Sequence, residues 1–163
     1  MADDAADVAG PLAPFFPVDY AATYLEARSC NQSVDHDLIG VRILASPMAY
    51  PAYVSRRVPF PVGSVVVKEE FDDWDLTTRR CEKIKRWTAA IKGPPGTDPA
   101  LGDWIFQVVS PERVVTAQGQ DAKARSCRDC HAICGTAVTP RAVSPGQKPH
   151  PSPNDGYDHM CAD

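Results

Sequence analysis

The sequence has no run of lysine or arginine, and its 17 Lys+Arg are outnumbered by 21 Asp+Glu, for a formal net charge of −4. That balance offers no electrostatic footprint for a phosphate backbone, so no nucleic-acid partner is expected. No apolar run approaches the roughly 18 residues that a spanning helix requires, so no membrane span is expected either. The opening MADDAADVAG has neither the basic n-region nor the apolar h-region of a signal peptide. The expectation is a cytosolic chain, or a mature sequence to which a starting Met has been added. Methionine is scarce, at three residues, and no internal repeat is visible.

What is present suits one domain with a modest core: 163 residues, 44% hydrophobic and 23% charged. Sixteen prolines cluster in turns and in the C-terminal stretch. Six cysteines stand out: Cys30, Cys81, Cys127, Cys130, Cys134 and Cys161. A cytosolic protein keeps that many for metal or catalysis, an exported one for bridges.

Along the chain, residues 1–17 read as a flexible Ala/Asp/Pro-rich lead. Asp19 is a plausible N-cap for a helix over YAATYLEARSC, with Tyr20, Tyr24 and Leu25 on one face. Strands are predicted over Leu38–Ser46, Gly63–Phe71, Glu82–Lys92 and Asp103–Ser110. In the third of these, Ile84, Arg86 and Thr88 alternate with Lys83, Lys85 and Trp87. The Pro-broken stretch from Pro47 to Gly63 has room for at most one helical turn. A late helix is predicted in the second half of VVTAQGQDAKARSCRDCHAIC, where Ala, Lys and Arg favour it. From Thr136 the Pro/Gly/Ser-rich tail has no regular pattern. The fold class expected is α+β: a mostly antiparallel β-sheet with flanking helices, one face covered by the two helices.

The late helix carries SCRDCHAICG, in which Cys127-Arg128-Asp129-Cys130-His131 fits C-x-x-C-H, the c-type haem attachment pattern. Two thiols about one helical turn apart can each add to a vinyl group of one porphyrin, and the adjacent His can ligate the iron. Two other readings stay open. Cys127, Cys130, His159 and Cys161 can make a Cys₃His zinc tetrahedron. Alternatively the cysteines are bridges only and His131 is incidental. On the haem reading, only Met160, in the tail, and Met48, in the Pro-broken loop, are methionines to weigh as a sixth ligand, and neither is well placed. A five-coordinate iron points to binding or catalysis rather than plain electron transfer.

With the haem motif this late, FPVGSVVVKEEF becomes informative. A strand of the form G-[ST]-V-x-V-K-E, then the aromatic strand GDWIFQVV, then C-x-x-C-H, resembles the cytochrome P-460 family over about Tyr20 to Gly135. The resemblance implies a haem domain over residues 18–135, with the tail, 136–163, packed on it. It further implies one covalent haem c, export to the periplasm or beyond, and a homodimer with an unknown redox partner. The implied activity is oxidation of hydroxylamine at ferric haem. Related cytochrome c′-beta proteins share the fold and bind nitric oxide instead, so nitric oxide binding or electron relay is the alternative. A lysine bonded covalently to the porphyrin in that family matches Lys68. The four cysteines outside the haem pair are additional to what the family needs. They are expected as two disulfides, with Cys30–Cys81 and Cys134–Cys161 favoured among three pairings because the second would pin the tail to the haem helix.

Strand alternation puts Val66, Lys68 and Glu70 on one face and Val65, Val67 and Glu69 on the other. Lys68 facing the porphyrin competes with its reading as an edge-strand charge. Glu70 is the candidate base for protons leaving iron-bound nitrogen, with Glu69 and Asp72 as rivals and a solvated acidic turn as the plain alternative. Trp104, Phe106 and Val108 share a face; Phe106 is a candidate cap for the distal pocket, or plain core. His36 and His150 lie in polar loops, and Arg128 and Asp129 are expected to face solvent.

Overall fold

The computed structural model describes residues 11–33, 39–55, 59–75, 77–78, 80–125 and 127. They form a six-stranded antiparallel sheet in simple sequence order: β1 (Leu25–Gln32), β2 (Gly40–Ala45), β3 (Val65–Phe71), β4 (Ile84–Lys92), β5 (Trp104–Val109) and β6 (Val115–Gln118). Two short helices accompany it, α1 (Tyr20–Thr23) and α2 (Tyr50–Ser55), with a 3-10 turn at Pro99–Leu101. The architecture agrees with the α+β expectation, but the first and the late helix, expected to cover one face together, divide between the two: Tyr20 packs in one cluster and Ala124 in the other. Among the described residues no helix is long and apolar enough to cross a membrane.

Four strands fall where β-branched residues and turn signals predicted them. The N-terminal prediction was too helical. Helix α1 stops after four residues, because Tyr24 is already extended (φ −89, ψ 153) and Leu25–Gln32 pairs with β2. Leu, Glu, Ala and Arg favour helix locally, yet a free edge on β2 recruits them as a strand, and tertiary pairing wins over propensity. Asp19 occupies the N-cap position but makes no side-chain capping bond. Strand β6 was not predicted; its four residues are too short for a periodic signal. Pro51 sits in the first turn of α2, where its missing N–H costs nothing. The late helix is visible at 122–125 and at 127. Cys130, His131, Cys134 and Cys161 lie outside the described residues, as do His36, His150 and His159.

The sheet buries both faces. Register aligns Ile43, Lys68, Thr88, Val108 and Ala117 in one row across five strands, with Ala45, Val66, Ala90 and Phe106 in the next. These residues share a face, here called the Lys68 face. Its apolar members pack with Ala49 and Tyr53 around α2 and with Ala124. On the opposite, Glu69 face, Leu44, Val65, Val67, Trp87, Ala89 and Val109 pack against Phe16 and Tyr20. The lead expected to be flexible is therefore corrected over its described part, residues 11–17. Phe16 is 2% exposed. Gln107 accepts from the Phe15 N–H and donates to the Ala13 carbonyl, and Arg113 donates to the Phe16 carbonyl. Full burial of one such aromatic side chain stabilises by about 2–3 kcal/mol.

Cys30 on β1 and Cys81, just before β4, form a disulfide with a Cα–Cα distance of 6.1 Å. This is the first of the two expected bridges. The fit depends on Gly40, where a Cβ would lie 2.9 Å from the Cys81 sulfur and 3.2 Å from Trp74. The 51-residue separation gives a loop-closure contribution of about 4 kcal/mol on the chain-entropy account.

Candidate functional site

Strand β3 lies in the middle of the sheet, so its inward side chains are covered from both sides. Three successive residues there are charged: Lys68, Glu69 and Glu70. The pleat divides them, Lys68 and Glu70 to one face and Glu69 to the other. Glu70 is fully buried. Its Oε1 lies 3.2 Å from Lys68 Nζ and accepts a hydrogen bond from Thr88 Oγ1 at 3.3 Å. Its Oε2 accepts from Arg86 Nε at 2.5 Å. Burial pushes the Glu70 carboxyl up, but Lys68 and Arg86 more than offset that, and the net result lies below the ordinary 4.5. A buried carboxylate persists only with such partners.

Cys127 completes the group. The first cysteine of C-x-x-C-H is half-buried, packs against the apolar cluster containing Val66, Ala90 and Phe106, and turns its sulfur toward the Lys123 carbonyl at 3.6 Å. Burial pushes its thiol up; Lys68 and Arg86 pull it down and Glu70 pushes it up. The thiol therefore lies within electrostatic reach of all three charged side chains. Its raised value keeps it from being a reactive free thiolate.

Of the sequence-derived candidates, Lys68, Glu70, Phe106 and Cys127 share one face. Lys68 is on a central strand with its side chain 15% exposed, not on an edge. Among the rival carboxylates, Glu69 is on the opposite face, and Asp72 pairs with Lys85 at the surface, 3.3 Å away. Glu70 is not in a solvated turn. Met48 is exposed. Among the described residues no group of three or more His, Cys, Asp or Glu is placed to hold a metal ion, and three of the four residues of the zinc alternative lie outside them.

Sequence reasoning missed Arg86 and Thr88 as partners of Glu70. The signal was present, since alternation in β4 groups Arg86 with Thr88, but only the register Glu70↔Arg86 and Lys68↔Thr88 shows what they meet. It also missed the network on the other face, where Tyr20 donates to Glu69 and Trp87 donates to Tyr20. Comparison with known protein families and with curated proteins finds no match to this chain.

Proposed function

We propose that this chain is an exported mono-haem c-type protein resembling cytochrome P-460, with haem held by Cys127 and Cys130 and its iron ligated through His131. The single observation carrying the reading is that Cys127 is half-buried against Val66, Ala90 and Phe106, on the sheet face that also carries Lys68, the residue the strand motif marks for contact with the ring. The surroundings fit such a group chemically: an apolar wall of Val66, Ala90 and Phe106 suits a flat ring, and the cations Lys68 and Arg86 suit its carboxylates. The Cys30–Cys81 bridge supports an oxidising compartment such as the periplasm.

Bound haem would supply the redox centre at which a small nitrogenous substrate, hydroxylamine, is oxidised. The chain supplies the rest. Phe106 keeps the apolar wall dry. Glu70, held ionised, is the proton acceptor on this face once one of its cations moves aside. Lys68 is the third tether. Bond formation from its Nζ needs an amine free of its proton, so the Lys68–Glu70 pair must open first. That same ion pair favours the second reading, a nitric-oxide-binding protein without the tether, in which Lys68 stays an ammonium beside Glu70. A homodimer belongs to both readings.

Protein matured with haem-attachment machinery should give a haem-stained band on a denaturing gel. A colourless band carrying zinc would replace the haem reading with the zinc one. A tryptic haem peptide containing both the Cys127 and the Lys68 segments, lost in Lys68→Ala with the thioethers intact, establishes the oxidase reading. An ordinary c-type spectrum with no Lys68 adduct establishes the nitric-oxide reading.

A further inference from the structure

The Glu69 face carries a second buried carboxylate that the proposed function does not use. Glu69 is 1% exposed. Its Oε1 accepts from the Tyr20 hydroxyl at 2.5 Å, and its Oε2 accepts from Arg42 Nε at 2.5 Å. The Tyr20 oxygen accepts in turn from Trp87 Nε1–H at 2.7 Å. The Tyr20 and Trp87 rings meet edge-on at 6.3 Å, and Tyr24 lies edge-on to Tyr20 at 6.3 Å on the way to the surface. Tyr20 and Trp87 are both buried.

A buried phenol resists oxidation because the radical cation has nowhere to send its proton. Tyr20 has an acceptor in hydrogen-bond contact. Trp87 has none of that kind: its N–H points at the phenol oxygen, and the Arg113 guanidinium, 5.9 Å from its ring, disfavours positive charge there. An electron vacancy created on Trp87 is therefore better placed on Tyr20. Trp87 is also only one layer of backbone from the Lys68 face, where its neighbours on β4, Arg86 and Thr88, bond directly to Glu70.

We propose that Tyr20 is a redox-active tyrosine, with Trp87 as its electron conduit and Glu69 as its proton acceptor. A one-electron oxidant removes an electron from Trp87. Tyr20 returns that electron, and its phenolic proton moves to Glu69 Oε1. The products are intact Trp87, a neutral tyrosyl radical and a carboxylic acid. An external one-electron reductant then supplies an electron through Tyr24, and the proton returns from Glu69 Oε1 to the Tyr20 oxygen. The use of the relay rests on the haem reading: a peroxide, a two-electron oxidant, would leave two oxidising equivalents at the haem site, and the relay would carry them off from the Lys68 face one electron at a time, in two turns. The relay's chemistry rests on the Glu69 face alone.

The test oxidises the full-length protein with photo-generated tris(bipyridyl)ruthenium(III), reads the frozen product by electron paramagnetic resonance, and follows radical formation by transient absorption. Wild type should give a neutral tyrosyl signal that Tyr20→Phe loses for the most part. Trp87→Phe and Glu69→Gln, the latter keeping an acceptor oxygen but unable to hold the proton, should form it several-fold more slowly. An undiminished tyrosyl signal in Tyr20→Phe overturns the proposal. If Glu69→Gln does not fold, wild type in D₂O decides: slower formation supports the coupled proton transfer, and an unchanged rate overturns it. Haem staining of the same preparations separates the two ideas. A colourless band with the Tyr20 radical leaves the redox tyrosine standing without the haem reading; a stained band without the radical does the reverse.

Discussion

Glu69 and Glu70 are neighbours in sequence, both fully buried, and each bonded to an arginine from an adjoining strand, Arg42 on β2 and Arg86 on β4. They differ in the second partner. Glu69 receives a neutral phenol under a ceiling of Phe16, Tyr20 and Trp87, and its one cation, Arg42, is shared with the exposed Glu26 3.9 Å away, so no positive charge is in excess. Glu70 receives Lys68, so among the described residues two cations surround one carboxylate beside the Cys127 thiol. The first arrangement is complete as it stands. The second keeps a positive charge in hand at the edge of an apolar wall, which is what an anionic or carboxylate-bearing ligand needs.

Perturbing each face in turn tests that contrast. Trp87→Ala should have the largest effect, about 4 kcal/mol of lost stability in urea denaturation, because it empties the aromatic ceiling and removes the donor to the Tyr20 oxygen. A loss as small as that of a surface substitution would mean the Glu69 face is not closed. Glu69→Ala should cost about 3 kcal/mol, since the Tyr20 hydroxyl stays buried without its acceptor. Glu70→Ala should cost less, about 2 kcal/mol, because Arg86, 44% exposed, can turn to water and only the partly buried Lys68 is left without its partner. Equal losses for the two glutamates would erase the distinction.

Acid sharpens the same comparison. The Glu70 carboxyl is held below its ordinary 4.5 in the folded protein. Its stabilisation is therefore fully present above pH 4.5 and is lost as the pH falls through the lower, folded value. Wild type and Glu70→Gln should differ most near neutrality and converge in acid, as read from urea midpoints across pH. The smallest effect expected is Arg113→Ala, about 1 kcal/mol, for the loss of a cation 4.6 Å from the Phe16 ring centroid.

Much of the sheet was legible because β-branched and aromatic runs bounded by turn residues mark strands, as in VVVKEEF and WIFQVV, and the alternation of side chains along a strand then assigns the faces. The same alternation placed Lys68 with Glu70 and Phe106 with Val108. The residues over Leu25–Cys30 misled because helix propensity is local and strand pairing is not. Glu70's partners were hidden for a related reason: Arg86 and Thr88 are 16 and 18 residues away, and register across a long hairpin is invisible to pattern alone. Cys127 joins the face through tertiary packing, which no spacing in SCRDCH encodes.

The N-terminal lead, residues 11–17, straps across the Glu69 face through Gln107 and Arg113, and this has a consequence for the order of folding. Every strand pairs with its sequence neighbour, so the sheet can grow hairpin by hairpin with no crossover. The strap's bonds to Gln107 and Arg113 span 92 to 97 residues and have no docking site until β5 and the turn after it exist. Residues 11–17 are thus the last of the described N-terminal half to be seated. Until then the Glu69 face stays wet, Trp87 included. Indole fluorescence should therefore report a late refolding phase, one that Trp87→Phe silences and that secondary-structure signals miss.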